Sequence, residues 1–134
     1  KYKRCLIPVD GFYEWKSHPG STSKTPYFIH MKDRKPFAFA GLWDEWQSPD
    51  GDSVRTCTII TTDPNELMST LHSRMPVILH PNDYALWLDP APQTPEKLMH
   101  LIKPFPTETM SAYPVSTLVN KPRNDRPECV VPPQ

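Results

Sequence analysis

Apolar residues along the chain fall into short blocks, and their spacing predicts two kinds of element. Cys5 to Val9 is a compact apolar run, Asp10-Gly11 supplies a turn, and Phe12-Tyr13-Glu14-Trp15 alternates with the period of two that a half-buried strand requires. Ser17 to Thr25 reads as a loop around Pro19-Gly20, Tyr27 to Met31 as a strand, and Asp33 to Lys35 as a tight turn into a strand over Phe37 to Trp43. Ser48-Pro49-Asp50-Gly51-Asp52 is a strong turn signal, and Thr56 to Thr62, dense in Thr, Ile and Cys, reads as a buried central strand. These segments predict a meander of antiparallel strands.

The period then changes. Asp63 can cap a helix that Pro64 begins, Glu66 completes a capping box, and Leu67, Met68 and Leu71 share one face, so a helix is predicted to end near His72. Met75 to Leu79 reads as a strand, Asn82 to Leu88 and Thr94 to Lys103 as helices, and Ser111 to Thr117 as a last strand before a polar tail. The 18 prolines form no repeat, and 12 of them lie from Pro76 onward, mostly at element boundaries, so they punctuate short elements. The order of elements predicts an α+β fold: a mixed, largely antiparallel, curved or barrel-like β-sheet with peripheral helices.

Composition narrows the picture. At 134 residues the chain has the length of a single domain, 1–134. The 15 basic and 15 acidic residues balance, but residues 1 to 36 hold eight Lys/Arg against three Asp/Glu and residues 37 to 70 hold one against six. The first quarter is therefore a basic region, which suits either a solvated face or a phosphate backbone. Cys5, Cys57 and Cys129 are widely spaced with no paired motif, so neither a metal site nor a disulfide framework is indicated, and no cofactor motif is present. No apolar run approaches the roughly 18 residues of a membrane helix, and Lys1 to Arg4 lead straight into a strand-like segment, so the expected setting is soluble and cytoplasmic. The chain starts without methionine within a few residues of its first apolar block, which predicts that it is part of a longer protein.

Three places could carry chemistry. Glu14 lies between Tyr13 and Trp15, and flanking aromatics can desolvate a carboxyl group and raise its pKa towards the range of a general acid or base; a solvent-facing strand glutamate has the same local sequence. His72-Ser73-Arg74-Met75-Pro76 joins a helix end to a strand, where either a catalytic loop or a simple helix cap is possible. Val119 to Asp125 carries Asn, Lys, Arg and Asp and reads best as an internal brace. His18, His30, His80 and His100 form no ligand pattern and are taken as surface residues.

Five blocks, in order, resemble one family: Arg4 to Trp15, Phe37 to Asp44, Thr58 to Thr62, His72 to Pro76, and Val119 to Asp125 with Pro127-Glu128-Cys129. They resemble the SOS-response-associated peptidase family over nearly the whole chain, which corresponds to about the last 60% of a complete family domain. The resemblance implies a partly barrel-like fold with a positive cleft for single-stranded DNA bearing abasic sites, a nucleoid-associated setting, and no metal or cofactor. It also implies autocatalytic removal of an initiator methionine, after which an N-terminal cysteine attacks the lesion. Its α-amine, with an ordinary pKa of about 8, forms a Schiff base with the ring-opened sugar, and the thiol closes a thiazolidine.

By motif, the resemblance makes Glu14 the catalytic glutamate and His72 the histidine that protonates the sugar oxygen. Arg74 and Thr61 become DNA-contacting or site-ordering neighbours, and Arg4 a phosphate contact. The family's upstream segment, with its N-terminal cysteine, tryptophan pair and asparagine–arginine motif, does not occur in these residues. Cys5, inside an apolar block with its nitrogen in a peptide bond, does not replace that nucleophile. Two other functions therefore stand beside an enzyme: a non-catalytic single-stranded DNA-binding module and an inactive structural remnant. Loss of sheet neighbours would leave apolar edges, so poor stability or self-association is expected of the 134 residues alone.

Overall fold

The computed structural model describes residues 3–134; Lys1 and Tyr2, which open the basic region and lead into the first strand, lie outside the described residues. Among the described residues eight strands are all paired antiparallel: β1 (Arg4–Val9), β2 (Phe12–Ser17), β3 (Lys24–Met31), β4 (Phe37–Gln47), β5 (Ser53–Ile59), β6 (Thr61–Thr62), β7 (Met75–Pro76) and β8 (Met110–Pro114). They form three sheets in the orders β1-β4-β5, β2-β3-β8 and β6-β7, with short helices α1 (Glu66–Ser69), α2 (Tyr84–Leu88) and α3 (Pro95–Met99) around them. The fold is mixed α+β, and among the described residues the sheets do not close into a barrel.

The long strand β4 organises the molecule. Its first half pairs with β1 from Val9↔Phe37 to Arg4↔Leu42, and its second half pairs with β5 from Gly41↔Ile59 to Gln47↔Ser53. Where β5 stops, the chain after β7 takes over the same edge: Ala40 N donates to Val77 O at 2.9 Å, Leu79 N to Ala38 O at 3.1 Å, and Phe39 bridges Ile78. Val77 N also donates to Ile60 O at 2.8 Å, so the β6–β7 pair grows out of the β4 edge and carries residues 61–76 to one end of the sheet.

Alternation along the strands builds the core. Ile29 and Met31 of β3, Phe37 and Phe39 of β4, and Met110 of β8 pack with Met68 of α1, with Leu71 just after it, and with Met75 and Ile78, while Phe12 of β2 packs against this cluster. A second cluster of Ala40, Val77, Leu79, Trp87 and Leu101 seats α2 and the end of α3 against the other side of β4.

Several expectations change. The Thr56 to Thr62 stretch is not a buried central strand: β5 is exposed along its whole length at the edge of its sheet, and the chain breaks pairing before β6. Thr, Ile and Cys favour extended backbone but do not set its depth. The first helix is a single turn capped by Asn65, whose Oδ1 accepts from Met68 N at 2.9 Å, and not by Asp63. Asn65 is buried, and its Nδ2 also donates to Phe105 O at 2.8 Å, which fixes the cap two residues later than the capping-box pattern suggested. The other helices are shorter than their apolar periods suggest, α3 ending at Met99 instead of Lys103. His30 is not a surface residue; only 4% of it is exposed. The tail does act as a brace, with Asn124 Nδ2 donating to Leu118 O at 2.8 Å and Tyr13 Oη to Cys129 O at 3.0 Å.

Candidate active site

Glu14 lies on β2 opposite Tyr27 of β3, and the strand period puts it on the same face as Phe12, which packs into the core. It is half-buried where that core face ends. Burial raises its carboxyl pKa from the ordinary value, and the opposing pull of His72 and of a backbone hydrogen bond at Trp15 is too weak to cancel this. The two residues, 58 positions apart in sequence, are therefore close enough for the charge of one to act on the other.

His72 is held by the turn that follows α1. Its backbone N donates to Met68 O at 2.8 Å, and Arg74 N donates to His72 Nδ1 at 3.1 Å. Because Nδ1 accepts that bond, the neutral ring carries its proton on Nε2. The exposed imidazole is thus set as a donor through Nε2.

The β6–β7 pair fixes the Arg74 side chain. Nη2 of Arg74 donates to Thr61 O at 2.9 Å, Nε reaches Thr61 Oγ1 at 3.4 Å, and Nη1 meets Asp63 Oδ1 at 3.1 Å. The sequence reading missed Asp63 in this role because its place before Pro64 resembles a helix cap. Both partners of the ion pair are well exposed, so it contributes at most about 1 kcal/mol to stability, and its main effect is to hold the guanidinium beside the His72 turn.

A cleft of about 460 Å³ opens next to these groups, lined by Trp15, Lys16 and Ser17 of β2, Lys24 of β3, and the 69–73 turn including His72. Lys16 follows Glu14 by two positions on a strand, a signal available in the sequence and not used there. Trp15 is anchored by its Nε1, which donates to Asn120 Oδ1 at 2.7 Å, so the tail brace also sets one wall of the cleft.

Glu14, His72, Arg74 and Thr61 thus lie at one end of the molecule, and Arg4 does not join them. It is buried, its Nε donates to Trp87 O at 2.7 Å, a second nitrogen donates to Asp89 O, and its guanidinium carbon sits 5.8 Å from the centre of the Trp87 ring. These contacts fasten β1 to α2. The Cys5 thiol is half-buried, and burial, with a smaller effect from Cys57, raises its pKa, which disfavours the nucleophilic thiolate. All three cysteines are free thiols. Among the described residues no group of three or more His, Cys, Asp or Glu could hold a metal ion, and no helix is long and apolar enough to cross a membrane.

The model of the SOS response associated peptidase (SRAP) family matches residues 1–122. The chain belongs to the SRAP family. This SRAP chain is 49% identical over 128 residues to the abasic site processing protein YoqW of Bacillus subtilis, a match covering 96% of the chain and 57% of YoqW. It is 40% identical over 153 residues to the abasic site processing protein HMCES of Gallus gallus, covering 98% of the chain and 44% of HMCES. A crystal structure of a Bacteroides thetaiotaomicron protein superposes with a TM-score of 0.88 at 36% identity, over 98% of the SRAP chain and 57% of the other. The SRAP chain therefore spans about half the length of the relatives it matches.

Proposed function

We propose that this chain supplies the acid–base part of a centre that captures abasic sites in single-stranded DNA. The observation that carries the reading is the half-buried Glu14 carboxyl, raised by desolvation and close to His72. A carboxyl that holds its proton to higher pH can donate it when the carbinolamine loses water, and the resulting carboxylate can accept it back in the next step. His72, with its neutral ring protonated on Nε2, hydrogen-bonds to the sugar ring oxygen, and the proton of the anomeric hydroxyl passes through solvent to that oxygen as the ring opens to the aldehyde. An amine then adds to that aldehyde carbon, water leaves, and a neighbouring thiol adds to the imine carbon to close a thiazolidine. Within this reading the amine and thiol come from an N-terminal cysteine outside these residues, and Arg74 and Thr61 order the His72 turn.

Pure binding is a second reading, favoured by the cleft that Trp15, Lys16 and Lys24 line next to His72. An indole wall and two ammonium groups suit the stacking and phosphate contacts of a single strand without any chemistry.

A denaturing-gel assay separates the two. The chain, and the same chain extended upstream to a Met-Cys start, are incubated with single-stranded DNA carrying one abasic site. The extended chain is expected to give a heat-stable adduct whose formation slows at least tenfold in Glu14→Gln and in His72→Ala. Retention on DNA with no adduct from either protein would establish binding alone, and adduct formation at an unchanged rate in Glu14→Gln would remove Glu14 from the chemistry.

A further inference from the structure

Another cavity lies on the other face of the β2–β3–β8 sheet. It holds about 280 Å³ and is lined by Asp10, Phe28, His30, Arg34, Tyr113 and Val130. Phe28 and His30 alternate with Tyr27 and Ile29 along β3, and Tyr113 is the register partner of Phe28, so these rings occupy the face opposite Glu14. Ring centres lie 5.9 Å apart for Phe28 and His30, 5.5 Å for His30 and Tyr113, and 5.8 Å for Phe28 and Tyr113.

One carbonyl arranges the polar groups. Met31 O accepts from His30 Nδ1 at 2.7 Å and from Arg34 N at 2.9 Å. A carbonyl only accepts, so His30 carries its proton on Nδ1 and the neutral ring presents a lone pair on Nε2. That nitrogen has no hydrogen-bond partner among the described residues although the residue is 4% exposed, and because it is not sealed from solvent it opens to the cavity. The second bond stabilises a turn in which Arg34 takes a φ of 62°, a left-handed conformation uncommon for a residue with a Cβ. That turn brings the Arg34 guanidinium to 5.9 Å from the centre of the Tyr113 ring, while Tyr113 Oη is occupied by Val130 O.

The wall therefore offers two acceptors, His30 Nε2 and the Asp10 carboxylate, one fork of donors from Arg34, and flat aromatic surface. The carboxylate disfavours a simple anion, and the guanidinium disfavours a simple cation. A planar ring whose edge places an N–H beside a carbonyl satisfies both kinds of group at once. We propose that this cavity is a binding site for a lactam-edged nucleobase, guanine before thymine. Its ring N–H and exocyclic amine meet the two acceptors, and its carbonyl accepts from Arg34. The site is separate from the Glu14–His72 cleft and does not rest on the reading given there.

Free nucleosides test it directly by calorimetric or ligand-observed NMR titration of the whole chain. Guanosine is expected to bind saturably, thymidine more weakly, and adenosine and cytidine at least tenfold more weakly than guanosine. Arg34→Gly removes the donor fork while relieving the left-handed backbone, and Asp10→Ala removes an exposed carboxylate. Each is expected to weaken guanosine at least tenfold with the thermal unfolding midpoint retained. Equal binding of all four nucleosides would reduce the site to unspecific stacking and overturn the proposal. Absence of saturable guanosine binding, or unchanged affinity in both variants, would overturn it as well.

Discussion

Arg4→Met distinguishes a structural tie from a nucleic-acid contact. The wild-type guanidinium donates from Nε to Trp87 O at 2.7 Å in a buried setting and from a second nitrogen to Asp89 O in a partly buried one. Methionine keeps an apolar stem against Trp87 but leaves the Trp87 carbonyl without this donor. A hydrogen bond from a charged donor contributes roughly 1.5–3 kcal/mol, and the second, more solvated bond contributes less, so a loss of about 2–4 kcal/mol is expected. For a chain of this size each kcal/mol moves the unfolding midpoint by roughly 3–6 °C, which makes the expected drop about 6–24 °C by circular dichroism. The same variant, assayed below its lowered midpoint by fluorescence anisotropy with a single-stranded oligonucleotide, should keep the wild-type dependence of affinity on salt. A phosphate contact would behave in the opposite way: an unchanged midpoint and a log–log salt slope shallower by about 0.7. That pair of results would refute the assignment of Arg4 to the β1–α2 junction.

Two further substitutions probe the scaffold and the titration of the candidate site. The Glu14 pKa lies above its unfolded value, so the folded state holds this proton more tightly than the unfolded state does; the associated stability is fully present below the ordinary carboxylate range and is lost as pH rises through the folded pKa. Glu14→Gln should therefore raise the unfolding midpoint relative to wild type at pH 7 more than at pH 4, and an equal difference at both would contradict a desolvated carboxyl. Gly11→Ala should destabilise by about 1–3 kcal/mol or more in urea titrations, because a Cβ there would lie 2.6 Å from Phe28 Cε2 and 2.7 Å from Ile29 O, and a backbone oxygen within the sheet cannot retreat as a side chain can. A change within error of zero would mean that the β1–β2 turn has more room than these distances allow.

The strand pattern was legible because period-two alternation is local. Cys5 to Val9, Phe12 to Trp15, Tyr27 to Met31 and Phe37 to Trp43 all fall within observed strands, and β8 overlaps the expected last strand. Depth was not legible in the same way. The Thr56 to Thr62 stretch has strong β-formers whatever covers it, and only the strand order reveals that β5 forms an edge. Helix capping failed for a related reason. Asp63 and Asn65 are both good cap residues, and the choice between them follows from Phe105, 40 residues beyond Asn65, which accepts the Asn65 amide.

The candidate site shows the same division between local and distant causes. Glu14 and His72 were singled out from their neighbours and from a family resemblance, but neither source predicts what brings them together. That is done by the exchange of partners along one edge of β4: β5 stops at Ile59, Val77 to Leu79 replace it, and the residues between are carried outward as β6, α1 and β7. Met68 and Leu71 then pin the α1 turn to the same core that Phe12 covers, so the end of that turn faces the end of the β2 core face. A single apolar cluster therefore sets both the depth of Glu14 and the place of His72. It follows that the raised carboxyl is a property of packing as much as of the residues at the site, since desolvation by burial is its largest cause.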